Sequence, residues 1–90
     1  MPPPPVLRER LVTVLLAAGF PHYDDTLPTY KSGGVFTVYG GEGAEVRLHW
    51  WDSTMVEQQI RLGEFAKALE DAGFEVEHRG DRLYAPEDDA

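Results

Sequence analysis

One motif occurs twice in this 90-residue chain and limits its fold more than any other feature. The copies are Leu11-x-x-x-Leu15-x-x-Ala18-Gly19-Phe20 and Phe65-x-x-x-Leu69-x-x-Ala72-Gly73-Phe74. In each copy the apolar spacing is helical, the glycine provides a left-handed stop, and the phenylalanine can fold back onto the last turn. A candidate hairpin follows each copy, which predicts the order αββαββ. The two halves are either a duplicated αββ unit or two helices that end in the same common way.

The first helix is predicted over residues 6–18. Its apolar positions recur at spacings of four, four and three residues, at Leu7, Leu11, Leu15 and Ala18. The charged residues of this segment lie elsewhere around the helix. The pattern indicates an amphipathic helix that buries one side.

The second helix is predicted to begin at Thr54, which forms a possible capping box with Glu57 three residues later. The segment 54–62 also shows an alternation of period two, so a strand is the competing interpretation. Gly63 costs about 1 kcal/mol in a helix interior relative to alanine. The clearest helical stripe therefore begins beside it and includes Phe65.

Two β-hairpins are predicted from β-branched and aromatic runs bounded by turn residues. The first pairs residues 35–39 with residues 45–51 across the turn 40–43. The second pairs residues 74–78 with residues 82–85. We therefore expect an α+β fold in which an antiparallel sheet of three or four strands carries two helices on one face.

The length of the chain predicts a single domain, which we place at residues 6–85. Residues 1–5 include four consecutive prolines and are expected to form a flexible extended leader. Residues 86–90 are mostly acidic and are expected to form a disordered tail.

Composition excludes several classes of protein. The chain has 8 basic and 16 acidic residues and a formal charge of −8, yet 11% aromatic residues are too many for a disordered acidic chain. It has no cysteine and three histidines, so neither a disulfide bond nor a metal site nor a cofactor is predicted. The surplus of arginine over lysine is typical of a GC-rich genome, and a phage or mobile-element origin is one hypothesis.

Neither a membrane span nor catalysis is indicated. No run approaches the roughly 20 apolar residues that cross a bilayer, and the proline-led start does not resemble a secretory signal, so a cytoplasmic location is expected. Ser32 and Ser53 lack a nucleophile-elbow motif. The run 31–34 precedes a strand, whereas a phosphate-binding loop opens a helix. No catalytic residue is predicted, and we expect the protein not to be an enzyme.

A candidate binding surface lies on the second predicted strand. Its alternation turns Val46, Leu48 and Trp50 to one side, which we expect to face the helices. The opposite side, called here the outer face of the sheet, carries residue types that concentrate at binding hot spots. The candidate binding residues are Thr37, Tyr39, Arg47, His49 and Trp51. The alternatives are that a terminus or the loop 21–34 covers this face, or that the face is catalytic.

The negative charge suits a protein partner with a basic surface, because complementary potentials speed and orient association. We therefore predict a small acidic, non-enzymatic protein-interaction domain, such as an inhibitor, an immunity protein or a regulatory protein. The competing interpretation is that the charge only keeps the protein soluble.

Two other partners remain open. The alternative function is a single-stranded nucleic-acid-binding module that stacks bases on the outer face, although the net charge disfavours a nucleic-acid partner. This alternative requires arginines clustered beside Tyr39 and Trp51. A basic stripe that could supply them is geometrically possible from Arg8, Arg10, Arg47, Arg79 and Arg82. The other partner is a second copy of the chain, in a homodimer whose outer faces pack together.

Overall fold

The structure is a computed structural model that describes residues 6–23, 34–50 and 52–86. The predicted leader, Trp51 and the tail beyond Pro86 therefore lie outside the described residues. The elements are α1 Leu7–Ala17, β1 Val35–Gly41, β2 Gly43–His49, α2 Met55–Asp71, β3 Glu77–Arg79 and β4 Arg82–Ala85. This order confirms the predicted α+β fold of αββαββ type.

The four strands form one antiparallel sheet in the order β1-β2-β4-β3. Each hairpin pairs within itself, and β2 joins the two hairpins by pairing with β4. A short parallel bridge lies on the outer edge of β1, where the Tyr23 N–H donates to the Phe36 carbonyl (2.7 Å). The opposite edge is the three-residue strand β3. Short or partly paired edges limit sheet-to-sheet aggregation.

An apolar core lies between the helices and one face of the sheet. Its buried members are Leu11, Leu15, Phe36, Val38, Ala44, Val46, Leu62, Phe65, Leu69, Leu83 and Ala85. The strand members alternate along each strand, so both helices cover the same face, as predicted. Phe36 and Phe65 are fully buried with ring centroids 6.0 Å apart. Burying one such side chain stabilises the fold by roughly 1.5 to 3 kcal/mol.

Both helices end with the predicted glycine stop. Gly19 has a φ of 94° and Gly73 a φ of 95°, a conformation that residues with a Cβ rarely adopt. The closing hydrogen bonds run from the Phe20 N–H to the Leu15 carbonyl (3.1 Å) and from the Phe74 N–H to the Leu69 carbonyl (3.0 Å). The two motif copies meet in the core, because the Phe20 ring packs edge-on against Phe65 at 4.7 Å.

The predicted capping box begins α2. The Glu57 N–H donates to the Thr54 hydroxyl (3.1 Å), and the Thr54 N–H donates to the Glu57 carboxylate (3.2 Å). The helix then continues without a break through Gly63. The helical interpretation of residues 54–62 is confirmed, and the strand interpretation is wrong.

Three details of the predicted strands are corrected. The first hairpin turns at Glu42 and not over residues 40–43, because Gly40 pairs with Ala44 and Gly41 with Gly43. The third strand begins at Glu77 and not at Phe74, because the Phe74 N–H is held by the helix end and is not free to join a ladder. The second strand ends at His49, so Trp50 lies just beyond it. Trp50 is only half-buried and does not belong to the core cluster, and the Arg61 guanidinium lies 6.0 Å from its ring.

Candidate functional site

The outer face of the sheet is built from the strand residues that alternate with the core positions. Strand register sorts its side chains into cross-strand rows. The arginine row is Thr37, Arg47, Arg82 and Arg79; the tyrosine row is Tyr39, Glu45, Tyr84 and Glu77. The glycine pair Gly41 and Gly43 follows at the turn, and Val35 with His49 lies at the opposite end.

Four of the five predicted binding residues share this face. Thr37 and Arg47 are direct cross-strand partners, Tyr39 lies one row towards the turn, and His49 lies one row away from it. Tyr39 is 45% exposed, whereas the other three are half-buried. The fifth residue, Trp51, lies outside the described residues.

Three arginines lie side by side on β2, β4 and β3, where like charges would repel. Three carboxylates offset them. The ion pairs are Arg47 with Glu45 (3.0 Å), Arg82 with Glu45 (3.4 Å), Arg82 with Asp81 (3.1 Å) and Arg79 with Glu77 (2.9 Å). The arginine row and its acidic partners therefore form a locally neutral network.

The network changes the ionisation of its members. The hydrogen bond from Arg47 lowers the pKa of the Glu45 carboxyl, and the hydrogen bond from Arg82 lowers the pKa of Asp81. In return, the hydrogen bond to Asp81 raises the pKa of Arg82, and the bond to Glu77 raises that of Arg79. A lowered pKa of a carboxyl and a raised pKa of a guanidinium both favour the charged form, so the network is ionised at neutral pH.

An arginine guanidinium group lies over the ring of each of the two tyrosines. The Arg47 guanidinium carbon lies 4.8 Å from the Tyr39 ring centroid, and that of Arg79 lies 4.0 Å from the Tyr84 ring centroid. These distances are within the range of cation–π attraction. The Tyr84 hydroxyl also donates to the Glu42 carbonyl (2.7 Å), which ties the β1–β2 turn to β4.

A cleft of about 460 Å³ opens between the tyrosine row and the β1–β2 turn. We call it the turn cleft. Its lining residues are Tyr39, Gly40, Gly41, Glu42, Gly43, Ala44, Glu45, Arg79 and Tyr84. Glycine at 43 is required there, because its φ is 125° and an added Cβ would lie 2.7 Å from the Ala85 carbonyl oxygen and 2.8 Å from the Tyr84 hydroxyl.

At the opposite end of the outer face, several buried polar atoms lack hydrogen-bond partners among the described residues. The Thr37 hydroxyl, Arg47 Nε and His49 Nε2 are shielded from solvent and have no hydrogen-bond partner among the described residues. The His49 ring lies against Tyr23, with centroids 5.3 Å apart. Buried polar atoms without partners cost free energy, so these three atoms reduce the stability that this end contributes.

Sequence reasoning did not place Arg79, Arg82 and Tyr84 on this face. A signal was present for two of them, because Arg82 and Tyr84 alternate with the apolar Leu83 and Ala85. Their position beside Arg47 depends on the pairing of β2 with β4, which joins distant parts of the chain.

Neither a metal site nor a membrane span is found in the part of the chain that the structure describes. No three histidine or acidic side chains there are placed to hold a metal ion. None of its helices combines the length and apolar character needed to cross a membrane. Comparisons with protein-family models, with curated proteins and with solved structures found no match.

Proposed function

We propose that the protein is a small acidic, non-enzymatic protein-interaction domain that uses the outer face to engage a basic surface of a partner protein. The observation that carries this proposal is the pair of rows, in which tyrosines and arginines form a neutral, partly exposed surface. Tyrosine and arginine are enriched among residues that dominate binding energy at protein interfaces. Because their charges are balanced internally, they do not oppose a basic partner.

The overall charge of the molecule favours a basic partner, although several of the unpaired acidic groups lie on the helices and not on the outer face. Six carboxylate groups make no ion pair with any other described residue: Glu9, Glu42, Asp52, Glu57, Glu70 and Glu75. By contrast, five basic residues are held in ion pairs: Arg47, Arg61, Lys67, Arg79 and Arg82. Arg8 and Arg10 are the described basic residues without an ion pair, so six unpaired acidic groups stand against two unpaired basic groups. The uncompensated charge of the described residues is therefore negative, which attracts basic surfaces and repels acidic ones.

A nucleic-acid-binding module is the second candidate, because the arginine row lies directly beside Tyr39 as that function requires. Two observations weigh against it. Each arginine of the row is paired with a carboxylate, so its charge is not free to neutralise a phosphate. The guanidinium groups of Arg47 and Arg79 also cover one face of Tyr39 and one face of Tyr84, which leaves less ring area for stacking of bases.

The test is capture from nuclease-treated lysate of the source organism at low and high salt, followed by calorimetric titration with the purified partner. Tyr39→Ala removes an exposed ring from the outer face. Leu16→Ala is the matched control, because Leu16 is 50% exposed but lies on α1. We expect a basic protein whose binding weakens with salt and falls about tenfold or more in Tyr39→Ala, but not in Leu16→Ala.

Other results would overturn the proposal. Equal partner binding by Tyr39→Ala and Leu16→Ala would exclude the outer face as the interface. Capture that nuclease treatment abolishes, together with binding of purified protein to a single-stranded oligonucleotide, would favour the nucleic-acid module. Capture of no protein at either salt concentration would contradict an interaction function.

A further inference from the structure

We infer that the turn cleft is a binding site for a guanidinium group, supplied by an arginine side chain of the basic partner. This inference rests on the proposed function, since it names the group that the outer face recognises. It depends on three features of the cleft, which are its aromatic walls, its glycine floor and its carboxylates.

The walls and floor leave room for a flat group. Tyr39 and Tyr84 are both register partners of Glu45, so their backbones lie two strand spacings apart, about 10 Å. Beside them, Gly41 and Gly43 carry no side chains. Arg47 and Arg82 do not line the cleft, whereas Arg79 does and lies over the Tyr84 ring.

Two guanidinium groups of the protein itself are bound on this surface in the same way. Arg47 lies over Tyr39 and is hydrogen-bonded to Glu45 (3.0 Å). In the second case, Arg79 lies over Tyr84 and is hydrogen-bonded to Glu77 (2.9 Å). In both cases one tyrosine ring and one carboxylate act together on one guanidinium, which combines cation–π attraction with a charge-assisted hydrogen bond.

Carboxylate oxygens remain available in the cleft for another cation. Glu42 lines the cleft and makes no ion pair with the described residues, while its backbone carbonyl is fixed by Tyr84. Glu45 uses only Oε2 for its bonds to Arg47 and Arg82. A carboxylate has lone pairs on both oxygens, so Oε1 can accept a further donor.

These groups favour arginine over lysine. A guanidinium is planar, stacks on aromatic rings and donates in a fork that matches a carboxylate, whereas an ammonium group is compact and strongly hydrated. The charged groups in the lining are Glu42, Glu45 and Arg79, and two of the three are negative. The cleft therefore selects a cation and disfavours an anion such as a phosphate.

The experiment is a titration of the ¹⁵N-labelled protein with Nα-acetyl-L-arginine methylamide, followed by amide chemical shifts. The citrulline amide is the neutral control of equal shape, and the lysine amide is the cationic control. We expect saturable shifts at residues 41–45 and Tyr84 with the arginine amide, weaker shifts with the lysine amide and none with the citrulline amide.

A matched pair of variants tests the role of the carboxylate. Glu42→Gln is expected to weaken arginine-amide binding about threefold or more, because it removes an ion-pair partner at the mouth of the cleft. Glu70→Gln removes an equally unpaired charge from α2, and we expect unchanged binding. The amide spectra of both variants also report whether the fold is retained.

Several outcomes would overturn the inference. These are equal shifts with the citrulline amide, equal affinity for the lysine amide, equal effects of the two variants, or shifts spread outside the cleft. Failure of arginine-amide binding, with partner binding still dependent on Tyr39, would reject the guanidinium site and leave the proposed function intact. Arginine-amide binding in the cleft, with partner binding independent of Tyr39, would support the site and reject the proposed function.

Discussion

At the scale of single residues, burial separates the aromatic side chains that hold the fold together from those that serve the surface. Phe65 is 1% exposed and contacts both Phe20 and Phe36. Trp50, although larger, is half-buried beyond the end of β2. Size alone therefore does not rank their contributions to stability, because the area removed from water sets the hydrophobic gain.

We expect Phe65→Ala to lower the free energy of unfolding by about 3 to 5 kcal/mol, as core truncations that leave a cavity do. Trp50→Ala should cost less, about 1 to 2 kcal/mol, because part of its ring area already contacts water. Urea denaturation followed by far-UV circular dichroism measures both values. A larger loss in Trp50→Ala than in Phe65→Ala would contradict this assignment of the core.

At the scale of elements, two glycines of the α2 region have opposite roles. Gly63 lies inside the helix, and a Cβ added there would meet no atom within 4 Å. Gly73 ends the helix with a φ of 95°, a conformation that is strained for other residues even though the surrounding space is open. Gly63 therefore lowers the stability of the helix, whereas Gly73 is required for the helix to end as it does.

Alanine substitutions separate these roles. We expect Gly63→Ala to raise the free energy of unfolding by up to about 1 kcal/mol through helix propensity. In contrast, Gly73→Ala should lower it by about 1 to 2 kcal/mol because alanine is strained in the left-handed region. Thermal and urea unfolding of the two variants provide the comparison. Stabilisation by Gly73→Ala, or destabilisation by Gly63→Ala, would show that the backbone conformation is not the controlling factor.

Whether an element depends on neighbouring or on distant residues explains which parts of the structure were predictable. The helix ends at Gly19 and Gly73 depend on neighbouring residues, so local spacing was sufficient to predict them. The start of β3 was placed too early, because the bond from Phe74 to Leu69 competes with strand pairing. Likewise, the sequence indicated Arg47, Arg79 and Arg82 only as members of a possible basic stripe. Their arrangement in one row was not predicted, because Arg82 reaches Arg47 only through pairing between the two hairpins.

At the scale of the whole molecule, charge is unevenly distributed. The chain carries a formal charge of −8, yet the arginines of the outer face are neutralised by their own carboxylates. Mutual repulsion of the remaining acidic groups weakens as they are protonated. The paired carboxylates respond in the opposite sense, since protonation removes their attraction to arginine. A comparison of variants can separate these two effects.

The bonds from Arg47 and Arg82 lower the pKa of Glu45 below its ordinary value of 4.5 in the folded protein. Between the folded and unfolded pKa values the unfolded chain binds more protons, so this carboxylate contributes stability above about pH 5. That contribution is lost as the pH falls through the folded pKa. We therefore expect Glu45→Gln to be less stable than the wild type at neutral pH, with a difference that shrinks steadily on acidification.

Urea denaturation at a series of pH values from neutral to about pH 3 measures this difference. Glu70→Gln is the matched control, because Glu70 carries the same charge without an ion pair to the described residues. It should respond only to the general repulsion, so its difference from the wild type should be small at every pH. If the free energy of unfolding of Glu45→Gln were lower than that of the wild type by the same amount at every pH, the negative charge of Glu45 would not be the source of its stabilising effect. The Glu45 side chain would then stabilise the outer face through its packing and hydrogen bonds, which glutamine can replace only in part.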